Sequence, residues 1–141
     1  MGTVSAEITL KNAADVANVQ RGYIREEEVR QITVRALVDT GAGTLVINEE
    51  IRQKLGLSIR GLRSASLAND VEEVCKVTEP VEIHWNDRET ACPSLVVSGQ
   101  GCVLLGAIPL EDMDLIVNPK GQELVGAHGN EVITLLCGIG A

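Results

Sequence analysis

The sequence predicts a mainly β fold carrying one or two short helices, and three observations lead there. Apolar and polar residues alternate with a period of two, first at Val4, Ala6, Ile8 and Leu10 against Ser5, Glu7, Thr9 and Lys11, the pattern of a half-buried strand. The apolar runs are short and are separated by clusters of Gly, Asn, Asp and Pro, as in hairpins. Forty-five per cent of residues are hydrophobic, yet Phe is absent and Trp and Tyr occur once each. The core must therefore be built from Val, Ile, Leu and Ala, a composition that suits sheets.

In chain order, residues 4–10 form the first strand. Periodicity then dissolves over residues 12–28, which read as a long hairpin connection or mobile loop ending in the solvated Glu26-Glu27-Glu28. Residues 29–38 form a second strand that alternates and then turns apolar at Ala36, Leu37 and Val38, as a strand entering a core does. After the turn at Gly41-Ala42-Gly43 come a third strand at 44–47 and a short helix. Asn48 caps that helix, Glu49 and Glu50 suit the positive end of its dipole, Ile47, Ile51 and Leu55 share one face, and Gly56 ends it. Strands at 62–67 and 71–77 flank Ala68-Asn69-Asp70 in a projecting hairpin, and strands at 81–85 and 90–97 flank Asn86-Asp87 in another. Residues 102–106 lead into a helical turn at 109–113. Strands at 114–117 and 123–125 follow across Asn118-Pro119-Lys120-Gly121, and 131–137 supply a last strand. Strand, glycine turn and short helix thus recur, at 36–56 and at 102–113, like two pseudo-repeats.

The 141 residues are read as one domain, 1–141, able to bury roughly two-thirds of its unfolded surface. A net charge of −8 with scattered Lys and Arg offers no basic stripe for phosphates and no attraction to anionic lipid. Neither nucleic acid nor membrane is expected as a partner. No apolar run approaches the ~20 residues of a membrane span, no basic and apolar leader opens the sequence, and a cytoplasmic location is expected. Met1-Gly2 is followed by Ala6 where a myristoylation signal wants Ser or Thr. Cys75, Cys92, Cys102 and Cys137 lack metal-ligand spacing and are read as buried apolar thiols, while His84 and His128 are read as surface residues.

The most informative segment is Ala36-Leu37-Val38-Asp39-Thr40-Gly41-Ala42, which sets one acid at the end of an apolar strand, directly before a glycine turn. Such a carboxylate is expected where water is scarce. It must then be hydrogen-bonded, paired or protonated, because an isolated buried charge is strongly unfavourable. Asp39-Thr40-Gly41 resembles the catalytic triplet of the pepsin and retroviral-protease superfamily, in which two such aspartates share one proton across a water molecule. The chain holds one copy and no Asp-Ser-Gly. A second aspartate would have to come from an identical chain across a two-fold axis, the commonest oligomeric symmetry.

Over most of its length the chain is similar to the single-domain bacterial retropepsin-like aspartic proteases. Residues 36–42 with the helix that follows carry the likeness. So do Ser66-Leu67-Ala68-Asn69-Asp70-Val71, where such proteases have their flap, and Leu104-Leu105-Gly106 followed by Pro109-Leu110-Glu111 and Asp114-Leu115-Ile116-Val117-Asn118-Pro119-Lys120. The resemblance implies a retropepsin-like closed β-barrel and an aspartic endopeptidase acting as a homodimer on a polypeptide substrate, with no metal or cofactor. Asp39, Thr40 and Gly41 would be catalytic: Thr40 bonds across the dimer axis, and Gly41 brings its amide near the carboxylates. Ala42, Gly43, Leu67, Ala68, Asn69 and Asp70 would bind substrate. In that family the strand ending at Gly106 packs beside the catalytic loop, where close backbone approach admits no Cβ. The chain departs from the pattern at Gly43, where relatives often have Asp or Ser. Its flap has no Tyr, its 12–28 segment is longer than in compact viral enzymes, and it ends in Gly138-Ile139-Gly140-Ala141.

Two other functions fit parts of this pattern. Fold does not fix function, and Gly43 favours a protease-fold dimer without useful turnover, serving as a peptide-binding or dimerisation module. Residues 38–44 also resemble the first phosphate loop of actin-like ATPases, in which glycine amides cradle phosphate. Those enzymes need two large lobes and a second phosphate loop, for which 141 residues leave no room.

Overall fold

A computed structural model describes residues 3–66, 70–99, 101–134 and 136. Strand β1 (Ser5–Asn12) buries Ala6, Ile8 and Leu10, the apolar half of its alternation. It leads into helix α1 (Ala13–Gln20), a 3-10 turn (Glu26–Glu28) and strand β2 (Gln31–Val38). Then follow β3 (Leu45–Asn48), α2 (Glu49–Leu55) and the hairpin β4 (Ile59–Ser66) with β5 (Glu72–Thr78). A second hairpin pairs β6 (Val81–Trp85) with β7 (Arg88–Cys92), and β8 (Ser94–Val97), β9 (Leu104–Leu105) and α3 (Ala107–Asp112) come next. A separate ribbon of β10 (Leu115–Asn118) and β11 (Glu123–Gly126) completes the described elements.

Nine strands form one curled sheet in the order β4-β5-β8-β3-β9-β2-β1-β6-β7. The fold is mainly β, as expected; within one chain the curl makes a half-barrel, with β4 and β7 at its edges. Ile8, Leu10, Leu45, Ile47, Leu55, Ile83, Leu105 and Met113 belong to one buried core cluster. The core is aliphatic throughout, and Trp85 packs against it only in part. No helix among the described residues is long and apolar enough to cross a membrane.

The segment at 12–28 is the first departure from expectation, and it raises the α-helices to three among the described residues. Buried Asn12 accepts a hydrogen bond from the Asp15 N–H (3.1 Å), capping α1, and donates through Nδ2 to the Leu55 carbonyl (2.8 Å) at the end of α2. Asp15, also buried, accepts two bonds from the Arg30 guanidinium (2.9 Å each) and one from the Arg30 N–H (3.0 Å). That guanidinium lies over Gly56, whose left-handed φ of +64° stops α2. Helix α1 is thus held by partners far along the chain, and a weak local periodicity says little about it.

Two further corrections concern strands. The run expected at 90–97 is broken at Pro93, which has no N–H for a ladder. β7 stays with β6, while β8 crosses over to pair parallel with β3 and antiparallel with β5. The strand expected at 131–137 reduces to a single bridge between His128 and Glu131, with 132–134 and 136 outside any strand. Residues 135 and 137 lie outside the described residues. The C-terminal part is tied down by Arg88 instead. Its buried guanidinium donates to the carbonyls of Met113 (2.8 Å), Asp114 (2.7 Å) and Gly129.

The Arg30 hydrogen bonds hold the Asp15 carboxyl below its ordinary value of 3.8. A folded-state pKa below the unfolded one stabilises the fold above the unfolded value, and this stability is lost as pH falls through the folded value. Asp15→Asn is expected to lower stability at neutral pH by about 1–2 kcal/mol, an amount reduced by the half-exposed Arg30. The deficit should shrink below pH 3.8, where the native acid also protonates. Urea unfolding of both proteins at neutral and acid pH measures it.

Candidate active site

Asp39 is placed by a three-strand junction. The short β9 lies between β2 and β3, parallel to the first (Leu37↔Leu104, Val38↔Leu105) and antiparallel to the second (Val46↔Leu104). Leu37 N–H donates to the Val103 carbonyl (2.8 Å) and Asp39 N–H to the Leu105 carbonyl (3.0 Å), so the ladder runs to the acid itself. The chain then turns over the end of β9. Within the turn the Ala42 N–H bonds to the Asp39 carbonyl (3.1 Å), and the Gly41 N–H holds the Asp39 carboxylate by Oδ1 (2.9 Å).

Helix α3 closes the arrangement from below. A helix leaves its first N–H groups without partners, and α3 has no side-chain cap. Its Ala107 and Ile108 N–H groups donate instead to the carbonyls of Ala42 (2.8 Å) and Gly43 (3.1 Å). The backbones approach so closely at Gly106 that a Cβ there would stand 2.3 Å from the Thr44 carbonyl oxygen and 2.6 Å from that of Ala42. Thr44 anchors the far side of the loop, its hydroxyl donating to the Pro93 carbonyl (2.9 Å).

Asp39 is exposed, as are Thr40 and Gly41, which corrects the expectation of a water-poor setting within the chain. The apolar end of β2 does not carry the acid into the core. Leu37 and Val38 are only partly buried, and the turn over β9 sends the carboxylate outward to the mouth of a cleft.

That cleft has a volume of about 600 Å3. The loop from Asp39 through Gly41, Ala42, Gly43 and Thr44 forms one side, with Val46 and Leu104 next to it. Leu95 and Val97 of β8 and the hairpin residues Ala65, Ser66 and Cys75 complete the lining, in which Asp39 is the one charged side chain. Of the expected substrate-binding residues, Ala42 and Gly43 line the cleft. Leu67, Ala68 and Asn69 lie outside the described residues. Asp70 is exposed with a left-handed φ of 60° and is not part of the lining.

Val46, Cys75, Leu95 and Val97 carry no motif, and only the β8 crossover brings them to the cleft. Burial pushes the Cys75 and Cys92 thiols up, so both are poor nucleophiles. Cys102 is exposed, contrary to expectation, and Cys137 lies outside the described residues. Neither histidine lines the cleft: His84 contacts Glu82 (2.5 Å), and His128 contacts Asp114 (2.6 Å). Among the described residues Glu82, His84 and Glu89 bring potential metal-ligand atoms within 4.8 Å of one another. They sit on the β6–β7 hairpin and none of them lines the cleft; the His84–Glu82 hydrogen bond accounts for their closeness.

A family model described as aspartyl protease matches residues 26–132. Among solved structures, the chain is similar to the retroviral protease-like domain of Ddi1 from Leishmania major, with 14% identity and a TM-score of 0.55 over 89% of this chain and 88% of that one. It is also similar to a retropepsin-like aspartic protease from Rickettsia conorii, with 20% identity and a TM-score of 0.47 over 83% and 88%. No curated protein matches the sequence.

Because a methyl group at 106 would overlap the Thr44 and Ala42 carbonyls, Gly106→Ala is expected to destabilise the protein by about 1–3 kcal/mol through forced backbone displacement. Thermal melting measures the loss. Accelerated hydrogen exchange at the Ala107 and Ile108 amides would locate it.

Proposed function

The chain belongs to the aspartyl protease family, and from that premise we propose that it is an aspartic endopeptidase working as a homodimer. The position of Asp39 supports this reading: it is the sole charged side chain on an apolar cleft, with its carboxylate held by a loop amide. One Asp-Thr-Gly per chain requires a partner for a dyad. The exposed outer sides of Asp39, Thr40 and Gly41 leave room for a two-fold axis beside the loop. The Thr40 hydroxyl would then bond to the opposite loop.

Two carboxylates brought within a few ångströms cannot both ionise once dimerisation and substrate exclude water, so the pair holds one proton; this behaviour is general to aspartic proteases. The ionised Asp39 takes a proton from a water molecule as its oxygen bonds to the scissile carbonyl carbon. The protonated Asp39 of the other chain gives its proton to the carbonyl oxygen. The tetrahedral diol then collapses: a proton reaches the amide nitrogen, the C–N bond breaks, and acid and amine leave with the dyad again sharing one proton. No covalent acyl-enzyme, metal or cofactor takes part.

Substrate would lie extended along the cleft, in a strand-like conformation. The β4–β5 hairpin already contributes Ala65, Ser66 and Cys75 to the lining, which supports a lid role for the hairpin near residues 66–72. A cytoplasmic location is consistent with the free thiols of Cys75 and Cys92. The second reading, a dimer that grips peptides without turnover, draws on the absence of a side chain at Gly43. Backbone bonds from α3 hold that part of the loop without one, and this favours the hydrolase.

Asp39→Asn is expected to lower peptide cleavage at least about a hundredfold, with far-UV circular dichroism and sedimentation unchanged. Specific activity should fall on dilution as the dimer dissociates, and a statine-bearing peptide should bind the native protein far more tightly than the variant. Undiminished cleavage by Asp39→Asn would exclude the mechanism. Equal statine binding by the two proteins would favour the non-catalytic module.

A further inference from the structure

Three glycines surround the acid, and two of them answer a requirement of the chain itself. Gly106 admits no Cβ against the loop carbonyls. A Cβ on Gly41 would stand 3.2 Å from the Asp39 Oδ1 that the Gly41 N–H holds. Gly43 meets neither kind of constraint. Its φ lies outside the left-handed range, and a Cβ built there finds no atom of the described residues within 4 Å.

A Cβ at 43 would therefore press on none of the described residues. Glycine is the less stable choice at such a site, because it has the most conformational freedom to lose on folding. Gly43 nonetheless lines the cleft beside Asp39, and its carbonyl is fixed by the Ile108 N–H at 3.1 Å. A Cβ on this cleft-lining residue would enter space open among the described residues. Val46, Leu95, Val97 and Leu104 line the same space. An anionic group entering it would be desolvated beside the Asp39 carboxylate without a partner.

We propose that Gly43 is a specificity-determining residue whose missing side chain makes room for a bulky apolar side chain of an extended polypeptide lying across Asp39. The inference rests on the reading of the cleft as a polypeptide site. It does not require that the bound polypeptide be cut.

The test compares the native protein with Gly43→Ala and Gly43→Val in thermal melting and on a peptide library graded in side-chain size at each position. The same peptides carrying a statine unit report binding. Gly43→Ala should leave Tm unchanged or raise it by roughly 1–5 °C. Gly43→Val should lower kcat/KM about tenfold or more for peptides with a large apolar residue at one position, relative to its effect on peptides with Gly or Ala there. A lower Tm for Gly43→Ala would make the glycine structural and overturn the proposal, as would one size profile shared by all three proteins. If the native protein cuts nothing but Gly43→Val narrows the size range of bound statine peptides, the hydrolase reading fails and this inference stands. Absence of both cleavage and binding would remove both.

Discussion

Backbone contact between the Asp39 loop and the β9–α3 junction is the constraint on which the rest of the molecule depends. Gly106 lies against the carbonyls of Ala42 and Thr44 with no room for a side chain, and the first N–H groups of α3 are satisfied by the loop carbonyls. Helix and loop therefore form together or not at all, since each supplies polar partners the other lacks. The short β9 gains its neighbours in the same way, wedged between the two strands that flank the loop. A carboxylate on such a support is held by main-chain geometry and not by its own packing.

This arrangement explains how an acid at the end of an apolar strand is tolerated in a single chain. Asp39 is not buried; it emerges at the mouth of the cleft, solvated on one side and held by the Gly41 amide on the other. In the proposed homodimer, the desolvation that would make a carboxylate pair reactive would come from outside the monomer fold, from a second copy and from substrate covering the cleft. The cleft is otherwise apolar, so once water leaves, little remains to screen the acid. Meanwhile the buried charges that the chain does carry stand apart from the cleft. Asp15 is neutralised by Arg30, and Arg88 is surrounded by carbonyl oxygens.

Where local chemistry decides the structure, the sequence was readable. Helix α2 has its Asn48 cap, its acidic first turn and its left-handed Gly56 as expected, because all three act within one turn of chain. β1, β2 and the β4–β5 and β6–β7 hairpins follow from alternation and turn residues. Helix α1 escaped because its stabilising bonds run from Asn12 to Leu55 and from Asp15 to Arg30. The split of 90–97 into two strands was signalled by Pro93, but the direction taken by β8 afterwards was not.

The sequence by itself determined the fold class, the family resemblance through residues 36–42 and 104–106, and the single acid of its one Asp-Thr-Gly triplet. These are short-range facts: periodicity, turn chemistry and a glycine whose neighbours leave no room. Only the tertiary structure decided that Asp39 faces water, that Val46, Cys75, Leu95 and Val97 line the cleft, and that a Cβ on Gly43 would meet no atom of the described residues. Each of these depends on which strands become neighbours in a nine-stranded sheet. That order is set by burial of side chains distant in sequence, which no local pattern records.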